Sequence, residues 1–214
     1  MKKNYENSLR EIIKEYNLKP KKKLGQNFLH DKNIISSIVN KANIEDEDII
    51  EIGPGPGILT ESILNNKARS LLAIEKDTSF EVNLKKIKSN YRDNFDYLIN
   101  DAIDFDFKKL TKKNYKFVSN LPYNISVPFI LKMIRIRKII PWKEMILMVQ
   151  KEVAERITAK INTKIYGRLS IIVNLNNNVK KLLNVKPSSF IPRPKVDSTV
   201  IKISPKKKIL KYQY

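Results

Sequence analysis

The sequence predicts a doubly wound α/β domain with a mostly parallel sheet. Short apolar runs alternate with helical stretches, and a glycine cluster directly follows the first strand-like run. The last two strand-like runs have no crossover helix between them, which predicts an antiparallel hairpin closing one edge of the sheet.

Along the chain, Leu9, Ile12, Ile13 and Tyr16 recur at helical spacing and predict a short amphipathic helix over 6–16 that ends before Pro20. A basic stretch at 19–23 follows, and then Asp31 is placed to cap a helix that buries Ile34, Ile35, Ile38 and Val39. The run 49–52 reads as the first buried strand, with a helix from about Ile58 and a second strand over 71–75. Helical stretches at 78–88, 126–137 and 151–160 alternate with strands at 97–99, 115–118 and 145–149. Val179 to Val185 and Ser198 to Ile203 form the expected hairpin, joined through the proline-rich segment 187–194. The expected organisation is a basic extension 1–23, a domain 24–204 and a basic tail 205–214.

Composition narrows the function. The 214 residues suit one full-sized core plus an appendage, and 42% apolar residues suffice to fill it. Zero cysteines and one histidine, His30, exclude a disulfide scaffold, a thiol nucleophile and a multi-histidine metal site, so no metal is expected. No stretch reaches the ~18 apolar residues of a membrane span, and residues 1–23 mix Glu6, Glu11 and Glu15 with their lysines, unlike a targeting peptide. The expectation is a cytoplasmic monomer with no membrane partner. Lys and Arg exceed Asp and Glu by 42 to 22, a net charge of +20. Of the 42 basic residues 34 are Lys, so a lysine-rich composition accounts for part of that excess. The charge gathers at the ends, however, with ten basic residues against Asp197 alone from Leu175 to Tyr214. Such clustering points to a polyanion, nucleic acid first.

Three of the five glycines fall in Gly53-Pro54-Gly55-Pro56-Gly57, between the first strand and a helix N-terminus, where doubly wound folds bind ligands. No Gly-Lys-Ser/Thr follows, so this is not a Walker loop, and Ile58 stands where a dinucleotide fingerprint has its third glycine. Glu75 ends the second strand 18 residues after Gly57, near the offset at which an acid binds ribose hydroxyls. Asp101 ends the third strand facing the same crevice, where its carboxylate can accept from an adenine amine or cap a turn. After the fourth strand comes Asn120-Leu121-Pro122-Tyr123. The Asn120 side-chain carbonyl and a neighbouring backbone carbonyl can accept both hydrogens of an exocyclic amine, while Pro122 stiffens the turn and Tyr123 offers a stacking ring. An ordinary Asn-Pro turn is the competing reading.

Together with Gln26-Asn27-Phe28-Leu29 and the segment 190–198 (FIPRPKVDS), these motifs closely resemble the KsgA-type ribosomal RNA adenine N6-dimethyltransferases, and less closely the Erm resistance methyltransferases. The resemblance runs in register from about Lys21 to Ile203. It implies the class I methyltransferase (Rossmann-like) fold, S-adenosylmethionine as methyl donor, ribosomal RNA of the small subunit as partner and N6 dimethylation of adenosine in ribosome biogenesis. By position, Asn27 and Leu29 would touch the donor, Gly53 its methionine part, Glu75 its ribose and Asp101 its adenine. Asn120 would serve both donor and target. Leu121 contributes its carbonyl to the target amine, and Tyr123 and Phe190 would stack on an extruded base, the alternative for Phe190 being a buried edge-strand residue. Family members continue into a small helical domain that grips RNA, and here the tail 205–214 stands in its place, implying a complete donor pocket with a weaker hold on structured RNA. The alternatives are an Erm-type enzyme acting on the large subunit and a non-catalytic RNA-binding assembly factor.

Overall fold

Residues 9–16, 19–110 and 114–207 are described by the computed structural model of the chain. The elements in order are α1 (Leu9–Glu15), β1 (Phe28–Leu29), α2 (Lys32–Ala42), β2 (Asp48–Ile52), α3 (Ile58–Asn65), β3 (Ser70–Glu75), α4 (Glu81–Asn90), β4 (Phe95–Ile99) and β5 (Tyr115–Asn120). They continue with α5 (Ser126–Ile136), β6 (Trp142–Gln150), α6 (Lys151–Ile157), α7 (Arg168–Asn176), β7 (Asn177–Val185), β8 (Phe190–Ile191) and β9 (Ser198–Pro205).

Seven strands form one sheet in the order β4-β3-β2-β5-β6-β9-β7. β4, β3, β2, β5 and β6 run parallel, and β9 enters antiparallel between β6 and β7, so the expected hairpin closes that edge. Every residue of β2 is buried, as are Tyr115 to Ser119 of β5, because helices cover both faces. Alternate residues therefore feed two cores. Ile49 packs with α2, α3 and α4, while Ile50 and Ile52 pack with α5, α6 and α7. The second core holds a ring cluster in which Phe107, Phe117 and Phe129 lie 5.7–6.2 Å apart, centroid to centroid.

Local signals explain most boundaries. The Asp31 carboxylate accepts from the backbone N–H of Asn33 and Ile34 and starts α2 as expected, and Ile34 is partly rather than fully buried. α6 stops at Ile157, short of the expected 160, and the expected helix 78–88 begins as a single 3-10 turn before α4. The described part of the N-terminal extension is packed on the domain: Leu9 and Ile12 are buried in the first core, and Glu15 pairs with Lys86 of α4 at 3.0 Å. Residues 6–8 of the expected first helix and 208–214 of the basic tail lie outside the described residues. α7 and the small β1–β8 ladder were not anticipated. Among the described residues, no helix is long and apolar enough to cross a membrane.

Candidate active site

β2 turns to β3 on one side and β5 on the other, so the sheet changes winding direction between β2 and β5, where doubly wound folds open a crevice at the strand C-termini. β2 and β5 pair only at Ile49–Lys116 and Ile50–Phe117, and beyond that the Ser119 hydroxyl takes the Ile52 N–H at 2.8 Å. A cleft opens there at the strand C-termini. Three segments line it: 24–29, the glycine loop and 120–125, with Glu75 and Asp101 along the wall.

The glycine loop is built on positive φ. Gly53 has φ +66° and Gly57 φ +82°, and a Cβ would lie 3.1 Å from the Pro122 ring at Gly53 and 2.4 Å from Ile87 Cδ1 at Gly57. Glycine is what lets the loop lie against the Pro122 turn and α4 at once. Glu75 is 5% exposed and its carboxylate accepts from Gly55 N at 3.0 Å and Asp77 N at 2.8 Å, so it fastens the glycine loop to the end of β3. Burial pushes its pKa up, against these backbone hydrogen bonds.

Beneath it lies Glu51, 1% exposed, accepting from Thr60 Oγ1 at 2.7 Å. Burial raises the Glu51 pKa to about 8; the Thr60 hydroxyl opposes this and the Glu75 charge adds to it. The folded-state value lies above the ordinary 4.5, so Glu51 contributes stability in full below pH 4.5 and loses it as pH rises through about 8. Glu51→Gln is therefore expected to flatten the decline in melting temperature across that window; a variant that declines as steeply as the parent would refute this.

Asp101 follows the neighbouring strand end, where Asn100 N donates to the Glu75 carbonyl at 2.7 Å. Burial works against its ionisation, but the Lys76 ammonium at 2.6 Å and the Ile103 N–H at 2.8 Å outweigh that and hold its pKa below the usual value. It caps its turn and faces the cleft at the same time, so the two readings of Asp101 are compatible. Lys132 of α5 holds that turn from behind, donating to the carbonyls of Ile103 at 2.6 Å and Phe105 at 2.7 Å.

Asn120 ends β5, and its Nδ2 donates to the Asn27 carbonyl at 3.0 Å. That carbonyl demands the donor end of the amide, so Oδ1 is the atom left to accept within the cleft. The pairing ties Asn27 to Asn120. Leu29 lies in β1 and lines the same cleft. Leu121 and Tyr123 follow around the turn, the Tyr123 hydroxyl 2.6 Å from Ser198 Oγ.

The cleft thus gathers Asn27, Leu29, Gly53, Glu75, Asp101, Asn120, Leu121 and Tyr123. Phe190 is the correction. Its ring is 1% exposed in the first core, and its residue pairs with Leu29 across the β1–β8 ladder, so it presents no face to an extruded base. The apolar ring is more stable packed beneath β1 than exposed at the mouth.

One part was missed altogether. Asp77 binds Lys21 Nζ at 2.6 Å and Gln26 Nε2 at 2.9 Å, while Gln26 Oε1 accepts from Lys21 N at 2.7 Å. This clasp holds the start of segment 21–29 against the end of β3. Burial of Asp77 is outweighed by the hydrogen bonds from Lys21, Ser79 and Gln26, which hold its pKa at about 2. Asp77 before Thr-Ser is a cap signal in the sequence; its second role toward Lys21 and Gln26 is long-range and has no local signature.

Comparison with known proteins places the chain in a family. The family model described as ribosomal RNA adenine dimethylase matches residues 17–214. The ribosomal RNA small subunit methyltransferase A of Alkaliphilus oremlandii is 44% identical over 200 residues, covering 91% of this chain and 68% of that protein. Its namesake in Clostridium acetobutylicum is 43% identical over 197 residues, covering 91% and 70%. Among solved structures, a dimethyladenosine transferase from Plasmodium falciparum superposes with a TM-score of 0.74 at 36% identity, covering 84% of this chain and 64% of that one. The 23S rRNA methyltransferase ErmE, at 23% identity and a TM-score of 0.72, covering 87% and 73%, shares the fold. The chain therefore spans about two thirds of the length of the relatives named small subunit methyltransferase A. With a family model matched from residue 17 to 214 and relatives above 40% identical across nine tenths of its length, the chain belongs to the ribosomal RNA adenine dimethylase family.

Proposed function

We propose that the chain transfers methyl groups from S-adenosylmethionine to N6 of adenosines in small-subunit ribosomal RNA, in two successive steps. The observation that carries this reading is the Asn120 amide, oriented by Asn27 so that an acceptor stands in the cleft that Glu75 and Asp101 also line. Relatives at 39–44% identity bear the small-subunit name, which favours that subunit over the large one.

The residues present fit the donor. The Glu75 carboxylate retains lone pairs beyond the two backbone hydrogen bonds it accepts and suits ribose hydroxyls, Asp101 suits an adenine amine, and Gly53 leaves room that a Cβ would fill. Asn27 and Leu29 close the cleft from the N-terminal side. When bound, the donor supplies a sulfonium methyl group whose bonding pair leaves with the sulfur. Adenine N6 is a poor nucleophile because its lone pair is delocalised into the ring. Asn120 Oδ1 and the Leu121 carbonyl accept its two hydrogens, favour a localised lone pair and stabilise the positive charge that develops on N6. Tyr123 stacks on the extruded base and holds it in line. The alkylated nitrogen is acidic and loses its proton to water, so no general base is required.

Basic residues line the same edge of the sheet. Lys151 and Lys186 flank Asp197, at 4.0 and 3.5 Å, and Arg193 and Lys195 are exposed on the loop leading to Ser198. Charge reversal at Arg193 and Lys195 together is expected to weaken RNA binding and reduce its log-log salt slope by about 2, one per phosphate contact. Donor affinity should be unchanged, and filter binding across a salt series with an unchanged slope would remove this loop from the RNA interface. The reading as a whole is tested by labelled-donor transfer to undermethylated small subunits. Transfer is expected; RNA binding without transfer would favour the non-catalytic assembly factor, and transfer to large subunits alone the Erm-type activity.

A further inference from the structure

Ser198 begins β9 and is wholly buried, paired in register with Gln150 of β6 on one side and Val185 of β7 on the other. The residue before it is tied down as well, the Asp197 carbonyl accepting from Lys151 N at 2.9 Å. In a strand that continues Thr-Val-Ile, a buried hydroxyl is costly unless it is hydrogen-bonded. Ser198 Oγ meets that requirement with the phenol of Tyr123, 2.6 Å away and 75 residues earlier in the chain.

At its other end the Tyr123 ring is equally constrained. Pro122 precedes it, the Pro122 carbonyl accepts from Ile125 N at 3.1 Å, and the Tyr123 carbonyl accepts from Ser126 Oγ at 3.0 Å. A tyrosine side chain has two soft torsions; fixing its backbone and its hydroxyl sets χ1 and the long axis of the ring, while the hydroxyl, lying on the χ2 axis, leaves rotation about that axis to the packing around the ring. The ring that flanks the Asn120 acceptor is thus set from the antiparallel edge of the sheet, by an element that contributes nothing else to the cleft.

We propose that Ser198 is a positioning residue: its hydroxyl holds the Tyr123 phenol and so sets the line along which the ring lies, and with it the place where the target adenine stacks before N6 reaches Asn120. This rests on the methyltransferase reading above. Burial raises the Tyr123 pKa above its ordinary value, against the Ser198 hydrogen bond, so the phenol keeps its proton and the pair remains neutral at working pH. A ring free to rock would still bind RNA and leave the donor pocket intact, but would deliver N6 in line with the methyl group less often.

The test is a double-mutant cycle of Ser198→Ala and Tyr123→Phe, measured by single-turnover transfer to undermethylated small subunits, with donor calorimetry and thermal melting alongside. Each single variant is expected to be slower by about three- to tenfold, the range for one hydrogen bond. Donor affinity and the RNA KM should be unchanged, and the double variant no slower than the slower single one. Ser198→Thr, which keeps the hydroxyl, should retain the parent rate. Independent losses that multiply in the double variant would overturn the proposal, as would a parent-like rate in either single variant. A loss in Ser198→Ala matched by an equal loss of donor affinity would make the contact merely structural and overturn it too. A parent chain that transfers no methyl group overturns the methyltransferase reading itself; an active parent with an indifferent Ser198→Ala overturns only the positioning role.

Discussion

Asn120→Ala is expected to lower single-turnover methyl transfer by about 10²- to 10³-fold, the loss seen when a preorganised hydrogen-bonding group at a developing charge is removed. RNA affinity and its salt dependence should remain, because a neutral amide releases no counterion from a phosphate. Two consequences combine in the variant. The acceptor Oδ1 disappears from the cleft, and the Asn27 carbonyl loses the Nδ2–H that holds it at 3.0 Å. Asn120→Asp separates them. It keeps an oxygen acceptor but sets a second carboxylate oxygen against the Asn27 carbonyl, two acceptors with no hydrogen between them, so it too should be nearly inactive and should also bind donor more weakly. Parent-like transfer by Asn120→Ala would remove this residue from the chemistry.

The second large effect is expected at Glu75. Glu75→Ala should raise the donor Kd by about 100-fold or more, because a carboxylate accepting from hydroxyls contributes about 1.5–3 kcal/mol per hydrogen bond. It should also destabilise the fold. The N–H groups of Gly55 and Asp77 lose their acceptor in a site where the Glu75 side chain is 5% exposed. Unsatisfied donors cost about 1–3 kcal/mol each, partly offset by no longer burying a carboxyl group, and a net loss of about 2 kcal/mol would lower Tm by about 4–8 °C. Glu75→Gln keeps one acceptor and places an amide NH₂ where the second was, so it should fall between the two. Calorimetry and thermal melting on the same preparations separate the effects; Glu75→Ala with parent-like donor affinity would exclude it from the ribose site.

Local chemistry made much of this legible from the residues. The glycine loop, Glu75, Asp101 and Asn120 all sit at strand C-termini, where position in a doubly wound sheet itself predicts a ligand, and each lines the cleft. Asp31 was readable as a cap for the same local reason. What escaped depends on long-range contacts or on packing that overrides propensity. α7 reads Arg-Leu-Ser-Ile-Ile-Val-Asn-Leu-Asn, rich in β-branched residues and asparagine, with Ile171 and Ile172 exposed, so neither propensity nor amphipathic periodicity marks it. It is held as a helix by burial of Leu169, Ser170 and Val173. Phe190 was read from its motif as a stacking ring, whereas its partner Leu29 lies 161 residues away and decides its burial. Lys132 looks like an interruption in an apolar helix face, and only the fold brings the 103–105 carbonyls to its ammonium.

Methyl transfer in this cleft onto an exocyclic adenine nitrogen is measured by incubating the parent chain and Asn120→Ala with labelled S-adenosylmethionine and undermethylated small subunits. The RNA is then digested to nucleosides and the labelled product identified. The expected result is label in N6,N6-dimethyladenosine with the parent chain and almost none with the variant. Bound donor and bound RNA without labelled dimethyladenosine, or equal label from Asn120→Ala, would contradict the account.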